Sequence, residues 1–356
     1  MPQVEPLSPT YAAARAAFLR AADAAGAGVA SYPHPLVGLE HEDLTVDVAE
    51  LGPRHATDVI VVISATHGVE GYCGSALQRH WLQHHAAERP DHVRVVMVHA
   101  LNPYGISWVR RVNEDNVDLN RNFPDWSQPV PQNAEYAAIA DLVVPREWTD
   151  EEQQRTTGAL IGLAAEKGFP WLQQVVSGGQ YEHPTGVFYG GSGPTWSHHW
   201  LRTWTADHLG DAQRLAVIDL HTGLGPWGHG ELIGCEQKGG PLFEQANALW
   251  FGEVTSMVDG DSVSAVIAGD WLTSVQQLAP QAEIAAICIE YGTVDTVSVL
   301  QALRADAWLH GYGDPRGPEG PAVRAAVRAA FADDDPAWIN TCWPRFHAVI
   351  GAALAR

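Results

Sequence analysis

Two histidines and one glutamate follow buried strands in this sequence, and they are the residue types that hold a catalytic metal ion. His67 and Glu70 come shortly after the apolar segment 59–64, VIVVIS, with two residues between them. His221 comes directly after a second apolar segment, 215–220. Two imidazoles and one carboxylate form a known catalytic zinc set, which leaves a coordination position open for water. The sequence therefore predicts one Zn2+ per chain, bound by His67, Glu70 and His221.

Each of these residues has a simpler interpretation when it is taken alone. A loop histidine followed by a glutamate at a helix N-terminus, where the helix dipole favours negative charge, would show the same spacing as His67 and Glu70. His221 alone would more often be an ordinary hydrogen-bonded histidine at the end of a strand. The presence of all three behind apolar strands favours the metal site.

A further carboxylate, Glu290, follows the apolar segment 285–289. A partly desolvated glutamate beside a metal suits a general base that takes a proton from water and then returns it to a leaving amine. The competing interpretations are a structural ion pair or a cap for the next helix. We predict that Glu290 is the catalytic base.

Three arginines lie within twelve positions, although the chain has only 21 basic residues. Asn120 and Arg121, in the segment 118–123 (DLNRNF), offer an amide and a planar guanidinium that together suit a carboxylate. Arg110 and Arg111 lie shortly before them and are candidates for binding substrate or polarising a scissile carbonyl. The alternative is a solvated polar loop with no ligand.

Strand, loop and helix alternate along the chain, as in βαβ units with a mainly parallel sheet. Because the carboxyl ends of parallel strands share one edge, the candidate residues are expected to converge there. The region at about 128–210 shows mostly helical patterns, and we expect one domain, 1–356, with a helical insertion there. Strands are predicted at 44–48, 59–64, 93–99, 215–220 and 285–289; the clearest helices are at 75–87, 150–167 (capped by Thr149), 296–310, 318–331 and 336–355.

Composition excludes several classes of partner. The formal net charge of −21 argues against nucleic acid and anionic membranes as partners, because both reward positive surface. The four cysteines show no paired metal spacing, which favours free thiols in a reducing compartment. The N-terminal residues lack the pattern of a signal peptide, and no apolar run approaches the roughly 20 residues of a membrane span. We expect a cytoplasmic protein; the oligomeric state is left open.

The order of these motifs resembles the zinc carboxypeptidase superfamily. The resemblance rests on HxxE after a strand, DLNRNF, DLHTG on a strand and a later strand-borne glutamate, and it spans about two thirds of the chain. That superfamily contains peptidases and the aspartoacylase and succinylglutamate desuccinylase deacylases; this chain is most similar to an uncharacterised bacterial branch. The resemblance implies a mixed, mainly parallel sheet sandwiched between helices.

The resemblance also implies a role for individual residues. His67, Glu70 and His221 match the zinc ligands, and Glu290 matches the general base. Asn120 and Arg121 match the pair that binds the substrate's terminal carboxylate. Arg111 matches the arginine that stabilises the oxyanion, with Arg110 as its rival. The proton-donating tyrosine of the peptidases has no motif match here, and Tyr189 and Tyr291 are only candidates.

These expectations define a leading function and two alternatives. The leading function is zinc-dependent hydrolysis of an amide bond next to a free carboxylate, in the manner of a carboxypeptidase acting on small peptides. The first alternative is a deacylase of N-acyl amino acids, which is less favoured because the chain ends in helical patterns where such enzymes often carry a β-rich domain. The second is a non-catalytic binding protein that keeps the fold. A serine hydrolase is excluded by the absence of a GxSxG motif.

Overall fold

An eight-stranded mixed sheet lies at the centre of the computed structural model, which describes residues 2–356. The strand order is β1-β2-β4-β3-β5-β8-β6-β7. The four central strands β4, β3, β5 and β8 are parallel, whereas β1, β2 and β6 join by antiparallel pairs. The strands are β1 (Gly28–Val37), β2 (Asp43–Leu51), β3 (Asp58–Ser64), β4 (Val93–His99), β5 (Arg214–Trp227), β6 (Gly230–Gly234), β7 (Val254–Ser256) and β8 (Glu283–Gly292).

Twelve α-helices cover the sheet in the described residues. Short 3-10 turns at 68–70, 86–88 and 119–121 join some of the elements. The helices are α1 (Tyr11–Ala24), α2 (Gly71–His84), α3 (Pro103–Trp108), α4 (Ala134–Val143), α5 (Asp150–Lys167), α6 (Phe169–Ser177), α7 (Trp196–His208), α8 (Pro241–Leu249), α9 (Trp271–Leu278), α10 (Thr296–Gly311), α11 (Gly320–Phe331) and α12 (Pro336–Leu354).

The sheet has a separate apolar core on each face, because successive side chains of a strand point to opposite sides. On β3, Ile60 and Val62 belong to the core that includes Trp81 of α2. Val61 of the same strand belongs to the other core, which includes Trp204 of α7. The strands buried on both faces and the helices on both sides confirm the predicted α/β fold, a mainly parallel mixed sheet sandwiched between helices.

Two of the predicted elements have the bounds that the structure shows, and two of the predicted strands are longer than expected. The bounds of β4 and α5 are those predicted, and Thr149 caps α5 by accepting a hydrogen bond from the Glu152 amide. In contrast, β5 and β8 continue beyond His221 and Glu290, so both residues lie inside the strands. Strands β1, β6 and β7 were not predicted; β1 is largely exposed and contains two prolines, which are confined to sheet edges.

Helices α4 to α7 occupy most of the region 128–210, for which a helical insertion is predicted. All four cysteine thiols are free. Among residues 2–356, none of the helices combines the length and the apolar character that a membrane-spanning segment needs.

Gly68 lies where the loop after β3 packs directly against the backbone of α3. A Cβ atom built at Gly68 would lie 2.0 Å from the carbonyl carbon of Gly105 and 2.3 Å from the Ile106 nitrogen. Both of those atoms belong to the backbone, so they cannot rotate away as a side chain would. Only glycine fits at position 68 unless this loop or α3 moves.

We expect Gly68→Ala to lower the free energy of unfolding by about 1–3 kcal/mol, because the added methyl overpacks this contact. Gly162→Ala is the matched control: Gly162 lies exposed on α5 with nothing within 4 Å of its Cβ position. That change should stabilise the protein by about 0.5–1 kcal/mol, since alanine loses less backbone entropy in a helix. Urea unfolding measures the free energy of unfolding of both variants. An unchanged midpoint for Gly68→Ala would contradict the close packing of this loop against α3.

Candidate metal centre and substrate cavity

The loop that carries His67 is held by backbone geometry at the end of β3. Ala65 adopts a left-handed conformation with φ of 58°, which turns the chain sharply out of the strand. The Gly68 amide then donates to the Arg111 carbonyl at 3.0 Å, and the Val69 amide donates to the Arg110 carbonyl at 2.8 Å. The two loops are therefore fixed to one another before any side chain is considered.

His67, Glu70 and His221 converge at this edge of the sheet. The Nδ1 atoms of His67 and His221 lie 3.0 Å apart. His67 Nδ1 lies 3.0 Å from Glu70 Oε1, and His221 Nδ1 lies 2.9 Å from Glu70 Oε2. All three residues are buried, and this group is able to hold a metal ion.

The surroundings of the two imidazole rings favour a metal between them. His221 Nε2 lies 2.7 Å from Asp219 Oδ2, and His67 Nε2 lies 3.0 Å from Asp118 Oδ1. A carboxylate at Nε2 stabilises the tautomer that carries its proton there, as in many metal sites. Both Nδ1 lone pairs then face each other and the Glu70 carboxylate. Lone pairs in contact repel, and a cation between them removes that repulsion; the residues present fit a bound metal.

Glu70 is fully buried and depends on nearby donors for its charge. Arg111 Nη1 donates to its Oε1 at 2.7 Å, and the Thr222 amide donates to its Oε2 at 3.2 Å. Burial acts to raise the pKa of Glu70, but its polar neighbours His67 and Arg111 outweigh it and hold that pKa below its usual range. The carboxylate is therefore ionised, as a metal ligand must be.

Strand register places Glu290 beside the group. In the parallel pair β5–β8, His221 is the direct neighbour of Glu290, so both side chains point to the same face of the sheet. Glu290 accepts a hydrogen bond from the Leu224 amide at 2.9 Å. Burial, together with the charge of Glu70, raises the pKa of Glu290 to about 7. A divalent cation nearby would act in the opposite direction and favour its ionised form.

Arg110 and Arg111 point in different directions. The Arg110 guanidinium is buried against Asp306, with Nε 3.0 Å from Oδ2, and its Nη2 donates to Asn116 Oδ1 at 2.8 Å. It does not line the cavity. Arg111 does line the cavity. Besides Glu70 it contacts Asp118 Oδ2 at 3.1 Å, and its Nη2 lies 2.9 Å from His67 Nε2. The structure thus places Arg111, and not Arg110, in the site.

Asn120 and Arg121 present unsatisfied polar atoms beside the candidate metal centre. Within residues 2–356, neither Asn120 Oδ1 nor Arg121 Nε has a hydrogen-bond partner, although both atoms are buried. The Phe188 ring lies against the guanidinium groups of Arg111 and Arg121, with 5.3 Å from each Cζ to the ring centroid. Burial lowers the pKa of Arg121, but a guanidinium still stays charged at neutral pH. Buried polar atoms without partners are what a bound ligand would satisfy.

A cavity of about 340 Å3 opens beside these residues. His67, Arg111 and Glu290 contribute to one part of its wall, and Asn120 and Arg121 lie next to them. Its volume falls within the range of small-molecule sites. Most of the remaining wall is apolar and comes from α5, α6 and α10, including Leu160, Phe169, Leu172, Val176, Leu300 and Leu303.

Some functional features were not evident in the sequence. Asp118 was seen only as part of the DLNRNF segment, yet it contacts both His67 and Arg111. Phe188 lies in the connection between α6 and α7, and no sequence motif marks it. Neither tyrosine candidate, Tyr189 or Tyr291, is among the residues that line the cavity in the described chain.

The fold and site define an α/β protein with a buried His-Glu-His group at the carboxyl edge of its parallel strands. The chain belongs to the family described as "Protein of unknown function (DUF2817)", whose model matches residues 7–345. No curated protein matches the sequence.

Several solved structures are similar in fold. Carboxypeptidase A from Helicoverpa armigera is 14% identical, with 92% of this chain and 74% of that chain covered and a TM-score of 0.48. Bovine thrombin-activatable fibrinolysis inhibitor is 9% identical, with 90% and 96% covered and a TM-score of 0.46. A succinylglutamate desuccinylase/aspartoacylase from Rhodobacter sphaeroides is 15% identical, with 84% and 63% covered and a TM-score of 0.38. At these values the likeness concerns the overall fold alone.

We expect His67→Ala and His221→Ala each to lose one equivalent of bound metal per chain, because two remaining ligands hold an ion weakly. Elemental mass spectrometry after gel filtration measures the metal content. His55→Ala is the control, since His55 is exposed and lies outside the site. Equal metal content in the parent and all three variants would contradict the assignment of this centre.

Proposed function

We propose that this protein is a zinc-dependent hydrolase that cleaves an amide bond next to a free carboxylate, in the manner of a carboxypeptidase. The observation that carries the proposal is a single cavity whose wall combines His67 and His221 of the candidate metal group with the half-buried Glu290 and with Asn120 and Arg121, which carry unpartnered polar atoms. A non-catalytic binding module would not need a further carboxyl beside a metal centre, whereas a general base must lie there.

Asn120 and Arg121 would hold the substrate's carboxylate. A guanidinium and an amide together give a carboxylate several charge-assisted hydrogen bonds. Phe188 packs against the Arg121 guanidinium and would limit its movement. A substrate held at this point places its adjacent amide bond toward the metal centre.

Glu290 and Arg111 would act on the scissile bond. Zinc bound by two histidines and a carboxylate lowers the pKa of water and polarises a carbonyl group. Glu290 takes the proton from the attacking water and passes it to the leaving amine nitrogen. Arg111 has a side chain that is 13% exposed and reaches the cavity, where its guanidinium stabilises the negative charge that develops on the carbonyl oxygen.

The apolar wall favours a substrate with an apolar group. Leucine, valine and phenylalanine side chains from α5, α6 and α10 would bury an aliphatic or aromatic side chain beside the reacting carbonyl. The same wall would accept the acyl chain of an N-acyl amino acid, which keeps a deacylase as the second candidate function. Both substrates have a free carboxylate next to an amide bond.

We expect Glu290→Gln to retain its metal but to lose turnover by at least about 100-fold, because an amide cannot accept the proton. The assay follows apolar dipeptides, their C-terminally amidated forms and N-acyl amino acids by mass spectrometry. Full activity of Glu290→Gln would show that another group is the base. Absence of hydrolysis by the metal-loaded parent across the panel would instead favour the binding module.

We expect Arg121→Met to raise KM for free-carboxylate substrates by roughly 10- to 150-fold, since a hydrogen bond to a charged group contributes about 1.5–3 kcal/mol. The amidated forms should change much less, so the ratio of kcat/KM between the two substrates reports the role of Arg121 even if the variant is less stable. Arg155→Met is the control, because Arg155 is exposed on α5 and pairs only with Glu152. An unchanged ratio in Arg121→Met would remove the proposed carboxylate site.

A further inference from the structure

A second group of histidines lies at the far end of α2. This helix connects the parallel strands β3 and β4, so it runs from the carboxyl edge of the sheet back to the opposite edge. Its fourteen residues span about 21 Å at 1.5 Å per residue. His85 caps the helix, Glu88 lies in the 3-10 turn that follows, and His347 lies on α12.

These three side chains converge on the Glu88 carboxylate. His85 Nδ1 lies 2.6 Å from Glu88 Oε1, and His347 Nε2 lies 3.1 Å from Glu88 Oε2. The two imidazole rings have centroids 4.5 Å apart. One ligand atom from each residue lies within 4.8 Å of the others, which is the spacing of a group that can share one cation.

Trp343 holds both rings in place. Its ring centroid lies 5.0 Å from that of His85 and 5.3 Å from that of His347, with which it stacks at an interplanar angle of 21°. Trp343 is itself buried on α12. Ligands held by packing lose little entropy when a metal binds.

Unpartnered ring nitrogens and nearby negative charge also favour a cation here. His85 Nε2 and both ring nitrogens of His80 are buried without a hydrogen-bond partner in the described part of the chain. The C-terminus of α2 contributes the negative end of the helix dipole. The formal net charge of −21 adds a general attraction for cations.

We propose that His85, Glu88 and His347 form a second site, which binds a divalent first-row transition metal ion such as zinc and joins the end of α2 to α12. Two imidazoles and a carboxylate suit such ions better than calcium or magnesium, which prefer oxygen ligands. The side chains of Glu88 and His347 are 47% and 25% exposed, so the ion can enter from solvent and keep water in its remaining positions. This site is independent of the hydrolase function proposed above.

Calorimetric titration of metal-free protein with zinc tests this site. The parent should bind two ions, and His347→Ala should bind one while keeping its hydrolytic activity. His221→Ala removes the other centre, so it should bind one ion and the double variant His221→Ala/His347→Ala none. His55→Ala is the matched control, because His55 also pairs with a carboxylate, Asp211, at the surface but has no third ligand nearby.

The ion should also act as a link between the helices. In the His221→Ala background, zinc should raise the unfolding temperature, because it binds the folded state selectively. That rise should be absent when His347 is also replaced, and Glu88→Gln should weaken zinc binding by at least about tenfold. A zinc stoichiometry that is the same with and without His347 would overturn the site, as would zinc binding in His221→Ala that leaves the unfolding temperature unchanged.

Discussion

The buried charge of Glu70 is the constraint on which the rest of the centre depends. A carboxylate with no exposure is costly unless every lone pair has a donor or a cation. Arg111 and the Thr222 amide each meet part of that requirement, and they come from a loop and from β5. Three segments of the chain, which carry Glu70, Arg111 and Thr222, therefore meet at this carboxylate. A bound metal ion would balance the rest of its negative charge.

Two further carboxylates, Asp219 and Asp118, orient the two histidine rings of the candidate metal group. Asp219 contacts His221, and it also accepts hydrogen bonds from Trp271 and Thr66, so this carboxylate is fixed by neighbours on both sides. Asp118 acts in the same way toward His67. Burial acts to raise the pKa of Asp118, but the charge of Arg111 outweighs it and keeps that pKa well below the usual range. Asp118 and Asp219 thus favour the tautomer of His67 and of His221 that carries its proton on Nε2.

The cavity has a polar end and an apolar wall that come from different parts of the fold. Its polar end lies on the central strands and the loops behind them, which the sheet holds rigid. Its apolar walls come from α5, α6 and α10, which lie outside the sheet. In the proposed hydrolase, the candidate catalytic groups would stay in place while the helices determine what fits. This division is common in α/β proteins, where variable segments surround a fixed edge of the sheet.

The sequence by itself determined the central parallel strands and the three candidate ligands, because long apolar runs followed by His and Glu are local signals. It also identified Asn120, Arg121 and Glu290 as candidates. Only the tertiary structure distinguished Arg110 from Arg111, because the two residues are adjacent in sequence. They follow a left-handed residue, Val109, and the Arg110 side chain contacts Asp306 whereas the Arg111 side chain contacts Glu70. The register of β8 on β5, the apolar wall and the cluster around Glu88 likewise join residues far apart in sequence, and no local pattern encodes such contacts.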